Sequence, residues 1–387
     1  MTRPSGKIYT LSLFPAIDTT LYLEGMEPVR ELPAQREHSE AGGKGANTAA
    51  ALTALGLDCA CICLMGEENA GLFLRLLDAA GVRCIPIPLP GRIRENLSLE
   101  TPQGQYRVMR QGFRADHRAL GRLEMVLRER LRPGDTVLVG GKLPEGITAD
   151  DLAALCELIH SLGAEVTLDT AAVRPAQVER IRPLVMKPNR LELGEITGLP
   201  VERLEDCVAA ARLLLRHGAE RVLVSLDRDG AFLLDREGLL LARAPEVEVR
   251  SSVGAGDAML AWFTAALLTG LPREEALRRA VGGRERGLSA LWHPCAVPGG
   301  GRSSAVPGGD RPCREPSGLT GHTLYRRGIH TPGKPFETGE DGAGHERIKK
   351  TNRSPAAASG AAGVSGYTDR GAHSPGESPA AGALLQR

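Results

Sequence analysis

The 387-residue chain has almost no net charge: 48 Lys and Arg stand against 47 Asp and Glu, a formal +1. A dedicated nucleic-acid binder needs a basic face, and this balance argues against one. There is no run of 18 apolar residues, which excludes a membrane-spanning helix. The best candidate, residues 260–271, is short and contains Thr264, Thr269 and Gly270. Nothing at the N-terminus reads as a secretory leader, because residues 8–17 are broken by Thr10, Ser12 and Pro15 and followed by Asp18. The cytoplasm is therefore the expected compartment. The eight cysteines contain no CxxC pair. Cys59, Cys61 and Cys63 alternate, which places them on one face of a strand. Neighbours two apart on a strand are awkward disulfide partners. They read as reduced core residues rather than metal ligands.

What is present is enough for a core. The 42% hydrophobic content rules out a wholly disordered chain, and the length suggests about two domains. The average conceals a break near residue 282. Residues 283–387 hold 20 of the 47 glycines and 10 of the 26 prolines. Only 12 of these 105 residues are Ile, Leu, Val, Phe or Met, too few to bury a core. This segment has 14 basic and 9 acidic residues, a net of +5, which leaves −4 for residues 1–282. A body over 1–282 and a Gly/Pro/Arg-rich, disordered tail over 283–387 are expected.

Within the body, short apolar strands alternate with helices that close on glycine. Strands are expected at 8–13, 59–64, 136–140, 165–169, 184–186 and 221–225. Helices are expected at 46–55, 70–80, 149–162 and 204–217. Gly56 and Gly81 stand where the first two helices end. This rhythm is that of a parallel sheet covered by helices, an α/β fold. Two more polar, alternating stretches, 19–41 and 84–112, break it and are expected to form a small separate sheet.

Two glycine-rich segments open helices. In Ser251-Ser252-Val253-Gly254-Ala255-Gly256-Asp257, a strand at 246–249 leads in and an apolar helix at 258–268 leads out. Backbone N–H groups at such a helix start converge on anions. Asp257 reads either as a helix cap or as a general base beside an anion hole. The dinucleotide fingerprint fails, since its third glycine falls on Met259. In Ala41-Gly42-Gly43-Lys44-Gly45-Ala46-Asn47, the lysine suggests phosphate contact, although a plain flexible loop fits as well. It is not a P-loop, because Gly45 stands where Ser or Thr is required.

These segments, taken with five others in the same order, resemble the phosphofructokinase B family of ribokinase-like carbohydrate kinases, in its 1-phosphofructokinase and tagatose-6-phosphate kinase branch. The others are Phe14-Pro15-Ala16-Ile17-Asp18, with Phe14 for the usual Asn, and Arg94-Glu95-Asn96. Lys142-Leu143-Pro144-Glu145-Gly146 follows, with Lys142 for Ser. Lys187-Pro188-Asn189-Arg190-Leu191-Glu192 and Ser225-Leu226-Asp227-Arg228-Asp229-Gly230 complete the set. The likeness spans residues 8 to about 281. It implies a three-layer α/β/α sandwich with a small β lid built from 19–41 and 84–112, and ATP-dependent phosphorylation of a ketohexose phosphate. Fructose 1-phosphate is favoured; tagatose 6-phosphate and fructose 6-phosphate stay open.

By the same resemblance, Asp257 takes the proton from the attacking sugar hydroxyl, and the N–H groups of Gly254, Ala255 and Gly256 hold the transferring phosphoryl group. Asp18 and Asn47 orient the sugar within the Gly42-Gly43 loop, and Lys44 and Arg94 hold its phosphate. Asn189 and Glu192, which by themselves read equally as a helix cap and a first-turn acid, position Mg2+ through water, Lys187 lies by the nucleotide phosphates, and Ser225 and Gly230 border the nucleotide. The lid supports a homodimer. No nucleic acid or membrane partner is expected.

One departure stands out. After Arg278-Arg279-Ala280-Val281, Gly282-Gly283-Arg284-Glu285-Arg286-Gly287 replaces the small apolar run of the family, and the rest resembles no part of it. A reading-frame shift near codon 282 is the expectation, with loss of the wall of the adenine pocket, which implies impaired activity or, as the alternative, a non-enzymatic relative that only binds sugar phosphate or nucleotide.

Overall fold

The computed structural model describes residues 6–26, 31–244, 254–292 and 324–327, the last four and residues 284–292 by backbone alone. The strands are β1 (Ile8–Ser12), β2 (Ala16–Tyr22), β3 (Arg36–Gly42), β4 (Cys59–Gly66), β5 (Arg83–Leu89), β6 (Arg94–Thr101), β7 (Gly104–Val108), β8 (Thr136–Gly140), β9 (Glu165–Asp169), β10 (Val185–Met186), β11 (Arg221–Ser225), β12 (Ala231–Asp235), β13 (Gly238–Ala242) and β14 (Leu324–Arg327). The helices are α1 (Lys44–Ala54), α2 (Ala70–Ala79), α3 (His117–Arg130), α4 (Ala149–Ser161), α5 (Pro175–Ile181), α6 (Arg190–Thr197), α7 (Leu204–Arg216), α8 (Ala255–Leu268) and α9 (Arg273–Trp292).

Among the described residues, ten strands form one sheet in the order β14-β13-β12-β11-β10-β9-β8-β1-β4-β5. From β5 to β11 the pairs are parallel; β12, β13 and β14 add antiparallel. Burial on both faces explains why these strands are nearly continuous apolar runs. β4 shows the division. Cys59, Cys61, Cys63 and Met65 face the layer of α1, α2, α8 and α9. Ala60, Ile62 and Leu64 face the layer of α3 to α7. The three alternating cysteines are buried free thiols, and burial pushes the Cys59 thiol well above its ordinary value.

The second sheet, β3-β2-β6-β7, is the one that the resemblance expects as a lid. The stretch from residue 84 does not all belong to it. Cys84 to Leu89 continues the main sheet, with Cys61 opposite Cys84 and Leu64 opposite Ile87. Pro86 and Pro88 disguise this strand in the sequence. Being two apart, they turn the same way, and a strand at the sheet's margin tolerates residues that cannot donate on its open side.

Other boundaries differ for local reasons. α1 begins at Lys44 rather than at residue 46, because Gly43 takes φ 99° and turns the chain into the helix two residues early. α3 is polar overall and escaped the alternation, yet its stripe of Ala119, Leu120, Leu123 and Leu127 is buried. α9 runs through the 282–287 stretch where a break was expected. Gly283 has a packing role there: a Cβ would stand 2.0 Å from Trp262 Cδ1. The strand expected at 246–249, and the tail apart from the end of α9 and β14, lie outside the described residues. No described helix is long and apolar enough to cross a membrane.

Candidate active site

β1, β8, β9 and β10 end at one margin of the main sheet, the position at which open α/β sheets bind ligands. Three helices begin there. α1 starts so close to β1 that a Cβ on Gly45 would stand 2.8 Å from Ser12 Cα. α6 follows β10 within a few residues, and α8 brings Gly256 beside Lys187, with 3.3 Å from a Cβ to the ammonium Nζ. Neither Gly43 nor Gly254, the residues that cap α1 and α8, has a side chain to bond the first N–H groups. Helix starts of this kind favour negative charge.

Four charged side chains interlock below them. Lys44 Nζ donates to Asp169 Oδ1 and to Glu192 Oε1, each at 2.7 Å. Lys187 Nζ lies 3.2 Å from Asp169 Oδ2, and Lys187 and Asp169 are almost fully buried. Burial works against the charge on Lys44, but the two carboxylates overcome it and raise its pKa above the ordinary lysine value. Glu192 is also committed to Asn189 in a reciprocal cap at the start of α6: Glu192 N donates to Asn189 Oδ1 (2.8 Å) and Asn189 N to Glu192 Oε2 (2.9 Å). Asn189 pairs by a backbone bridge with Ser225 at the end of β11, and Ser225 is buried.

Asp257 sits in the first turn of α8 and accepts a hydrogen bond from Asn47 Nδ2 at 2.8 Å. Burial, then the charge of Asp169, pushes its carboxyl up to about 6, while Lys44, Asn47 and Lys187 pull the other way. A carboxyl of that pKa is ionised at neutral pH yet still basic enough to take a proton.

The lid holds the second group. Asp18 accepts from Asn96 Nδ2 at 2.6 Å, and Gly42 passes so near that a Cβ there would stand 2.0 Å from Asp18 Oδ2. Arg94 is buried. Its guanidinium lies 4.7 Å above the Phe14 ring and donates to the carbonyls of Phe14 and Pro15 at 3.3 Å each. Phe14, which stands where the resemblance places Asn, thus makes a platform for Arg94, braced edge-on by Phe113 at 5.5 Å. Lys142 is exposed and, among the described residues, has no hydrogen bond or ion pair. It follows Gly141, whose N donates to Asp169 O at 2.9 Å. Gly230, at φ 96°, closes the turn after β11, and Arg190 reaches that turn at Asp229 (3.3 Å).

The expected residues therefore fall into two sets joined by α1. Lys44, Asn47, Lys187, Asn189, Glu192, Ser225, Gly256 and Asp257 meet at the sheet margin, and Asp18, Gly42 and Arg94 meet at the lid. Asp169 was missed. Its signal was an acid closing the Glu165–Asp169 strand at the carboxyl end of the sheet.

The site also bears on a metal. Among the described residues no three His, Cys, Asp or Glu stand together as a cage. Glu192 and Asp169 are both engaged by lysine, although Asp169 Oδ2 accepts no hydrogen bond. Such a donor set suits a hard cation that keeps most of its water and leans on phosphate oxygens.

The pfkB carbohydrate kinase family matches residues 11–282. The chain belongs to the pfkB family of carbohydrate kinases. The 1-phosphofructokinase of Rhodobacter capsulatus is 37% identical over 280 residues, 71% of this chain and 88% of that protein. The 1-phosphofructokinase of Xanthomonas campestris is 36% identical over 267 residues, covering 67% and 83%. Among solved structures, Escherichia coli phosphofructokinase-2 with fructose-6-phosphate superposes with a TM-score of 0.67 at 26% identity, over 73% of this chain and 94% of that one. Arabidopsis thaliana ribokinase with ribose and ATP gives a TM-score of 0.59 at 21% identity, covering 73% and 92%, and shares the fold. The α/β body with its β lid is accordingly ribokinase-like, and this pfkB kinase is an enzyme of sugar phosphorylation.

Proposed function

We propose that this kinase transfers the terminal phosphoryl group of ATP to fructose 1-phosphate, giving fructose 1,6-bisphosphate. The observation that carries the reading is Asp257: buried, held by Asn47, raised to about 6, and set at the start of a helix that receives anions. The relatives named 1-phosphofructokinase support the choice of sugar.

Asp257 accepts the proton of the free primary hydroxyl as its oxygen bonds to the terminal phosphorus. The bond from that phosphorus to the bridging oxygen breaks, and ADP leaves with the electron pair. N–H groups of Gly254, Ala255 and Gly256 hold the charge that spreads over the transferring group, so catalysis is positioning plus electrostatics. Asp18 and Asn47 orient the sugar beside the Gly42-Gly43 turn. Lys44 and Arg94 bind its phosphate, a doubly charged group that needs cations. Lys187 faces the nucleotide phosphates, and Ser225 and Gly230 border the nucleoside. Mg2+, when bound, neutralises charge on the phosphates; Asn189 and Glu192 are the residues that would hold it, through water.

The similarity to phosphofructokinase-2 with fructose-6-phosphate favours one second reading, in which fructose 6-phosphate is the acceptor. A kinase assay of the full chain with fructose 1-phosphate, fructose 6-phosphate and tagatose 6-phosphate decides. Turnover of fructose 1-phosphate, impaired by the altered C-terminus and abolished in Asp257→Asn, is expected; turnover confined to another sugar overturns the substrate, and unimpaired Asp257→Asn overturns the base. For the homodimer we place the contact on the lid, where Tyr106, Val108 and Met109 are exposed. For residues 283–387 we retain a frame shift near codon 282 as their origin; sequencing of independent isolates that returns the same open frame removes it.

A further inference from the structure

Asn69 occupies the cap position of α2, a place where asparagine ordinarily bonds the first N–H groups of its helix. It does not do so here. Its side chain turns instead to the point where the chain leaves the body for the lid. Asn69 Nδ2 donates to Ile93 O at 2.9 Å and to Glu95 Oε1 at 2.7 Å, and Ile93 N donates to Asn69 Oδ1 at 2.8 Å. One amide thus grips the residues on both sides of Arg94. Successive residues of a strand point to opposite faces. Ile93 and Glu95 therefore face α2, while Arg94 and Asn96 face Phe14 and Asp18.

Glu95 extends the grip. Its Oε1 also accepts from Arg92 Nη2 at 2.7 Å, and its Oε2 accepts from Arg110 Nη1 at 2.9 Å. Arg92, Asn69 and Arg110 hold its carboxyl below the ordinary range. Arg110, which falls in the 84–112 stretch, is thereby held on the face away from Arg94. Among the described residues the Arg94 guanidinium meets a ring, two carbonyls at 3.3 Å and the charge of Asp18, with no carboxylate hydrogen bond, so its placement depends on the backbone that carries it.

We propose that Asn69 and Glu95 form a latch at the root of the lid that positions Arg94 for the phosphate already on the sugar, making Asn69 a positioning residue of the kinase. The proposal rests on Arg94 as a sugar-phosphate contact, and the test separates the two. Dissociation constants of fructose 1-phosphate and of a non-hydrolysable ATP analogue are measured on the full chain. Arg94→Met is expected to weaken sugar-phosphate binding strongly. Asn69→Ala is expected to weaken it about tenfold, the loss of a few hydrogen bonds, with the ATP analogue unaffected. Asn69→Ala added to Arg94→Met is expected to cost nothing further. Asn69→Asp sets a carboxylate against Glu95 and is expected to be worse than alanine, whereas Asn69→Asp with Glu95→Gln recovers part of the loss, which a merely structural role does not explain. Unchanged binding in Arg94→Met, or no sugar-phosphate binding by the wild type, overturns the reading of Arg94 and the latch with it. Weakened binding in Arg94→Met with unchanged binding in Asn69→Ala overturns the latch alone, as does equal weakening of sugar phosphate and ATP analogue.

Discussion

Asp257→Asn removes a charge that the fold holds at a cost. The carboxyl stands at about 6 in the native chain against 3.8 unperturbed. A tenfold change in proton affinity corresponds to about 1.4 kcal/mol, so ionised Asp257 destabilises the native state by on the order of 3 kcal/mol. The sign follows from linkage. Between about pH 4 and pH 6 the native state binds more protons than the unfolded one, so stability falls as pH rises through this window and stays lower above it. Asparagine is nearly isosteric, and its Oδ1 still accepts from Asn47. The variant should therefore melt higher than wild type at pH 7.5, on the order of 5 °C for a domain of this size, with the gap narrowing to about a third of that near pH 4.5. It should also be inactive. Thermal melts of both proteins at the two pH values are the assay. A variant that melts lower than wild type at pH 7.5, or a gap independent of pH, would refute the placement of a strained, ionised carboxylate at the start of α8.

Three further outcomes follow from the same geometry. Lys44→Met removes a cation that pulls the Asp257 pKa down, so besides weaker sugar-phosphate binding, the acid limb of the pH–rate profile should move to higher pH; an unmoved limb contradicts the coupling. Phe14→Ala takes away the platform under Arg94. Cation–π contacts are worth about 0.5–2 kcal/mol, so sugar-phosphate affinity should drop by about 2- to 30-fold with nucleotide affinity intact, measured by titration calorimetry. Gly283→Ala gains helix propensity but drives a methyl into Trp262; a fall in melting temperature is expected, and a rise would show that α9 does not pack there.

Much of the fold was legible because its signals are local. Helices that close on Gly56 and Gly81, and apolar strands of five residues or so, announce a parallel sheet, and β8, β9 and β11 lie where expected. β5 was hidden because its prolines read as breakers; only its place at the margin of the sheet makes them harmless. The hairpin of β12 and β13 was passed over because the alternation of strand and helix gives no cue for two buried strands in succession. At the site, the glycine-rich helix starts and the Asn189–Glu192 pair were visible because each is a motif of a few residues.

What the sequence by itself determined about this protein is most of the parallel strands and several of the helices, their order, and the presence of two helix starts suited to anions, since propensity, periodicity and capping act within about ten residues. Tertiary structure alone decided which charges meet. Lys44 and Asp169 are 125 positions apart and Lys44 and Glu192 148 apart, yet they share one cluster. The raised pKa of Asp257 is a product of burial and of Asp169, neither of which its own segment specifies. Likewise Arg94 and Arg110, both within the 84–112 stretch, are separated by what lies beneath them: Phe14 under one, Glu95 beside the other. Long-range pairing of this kind depends on strand order and helix placement, and no local pattern encodes it.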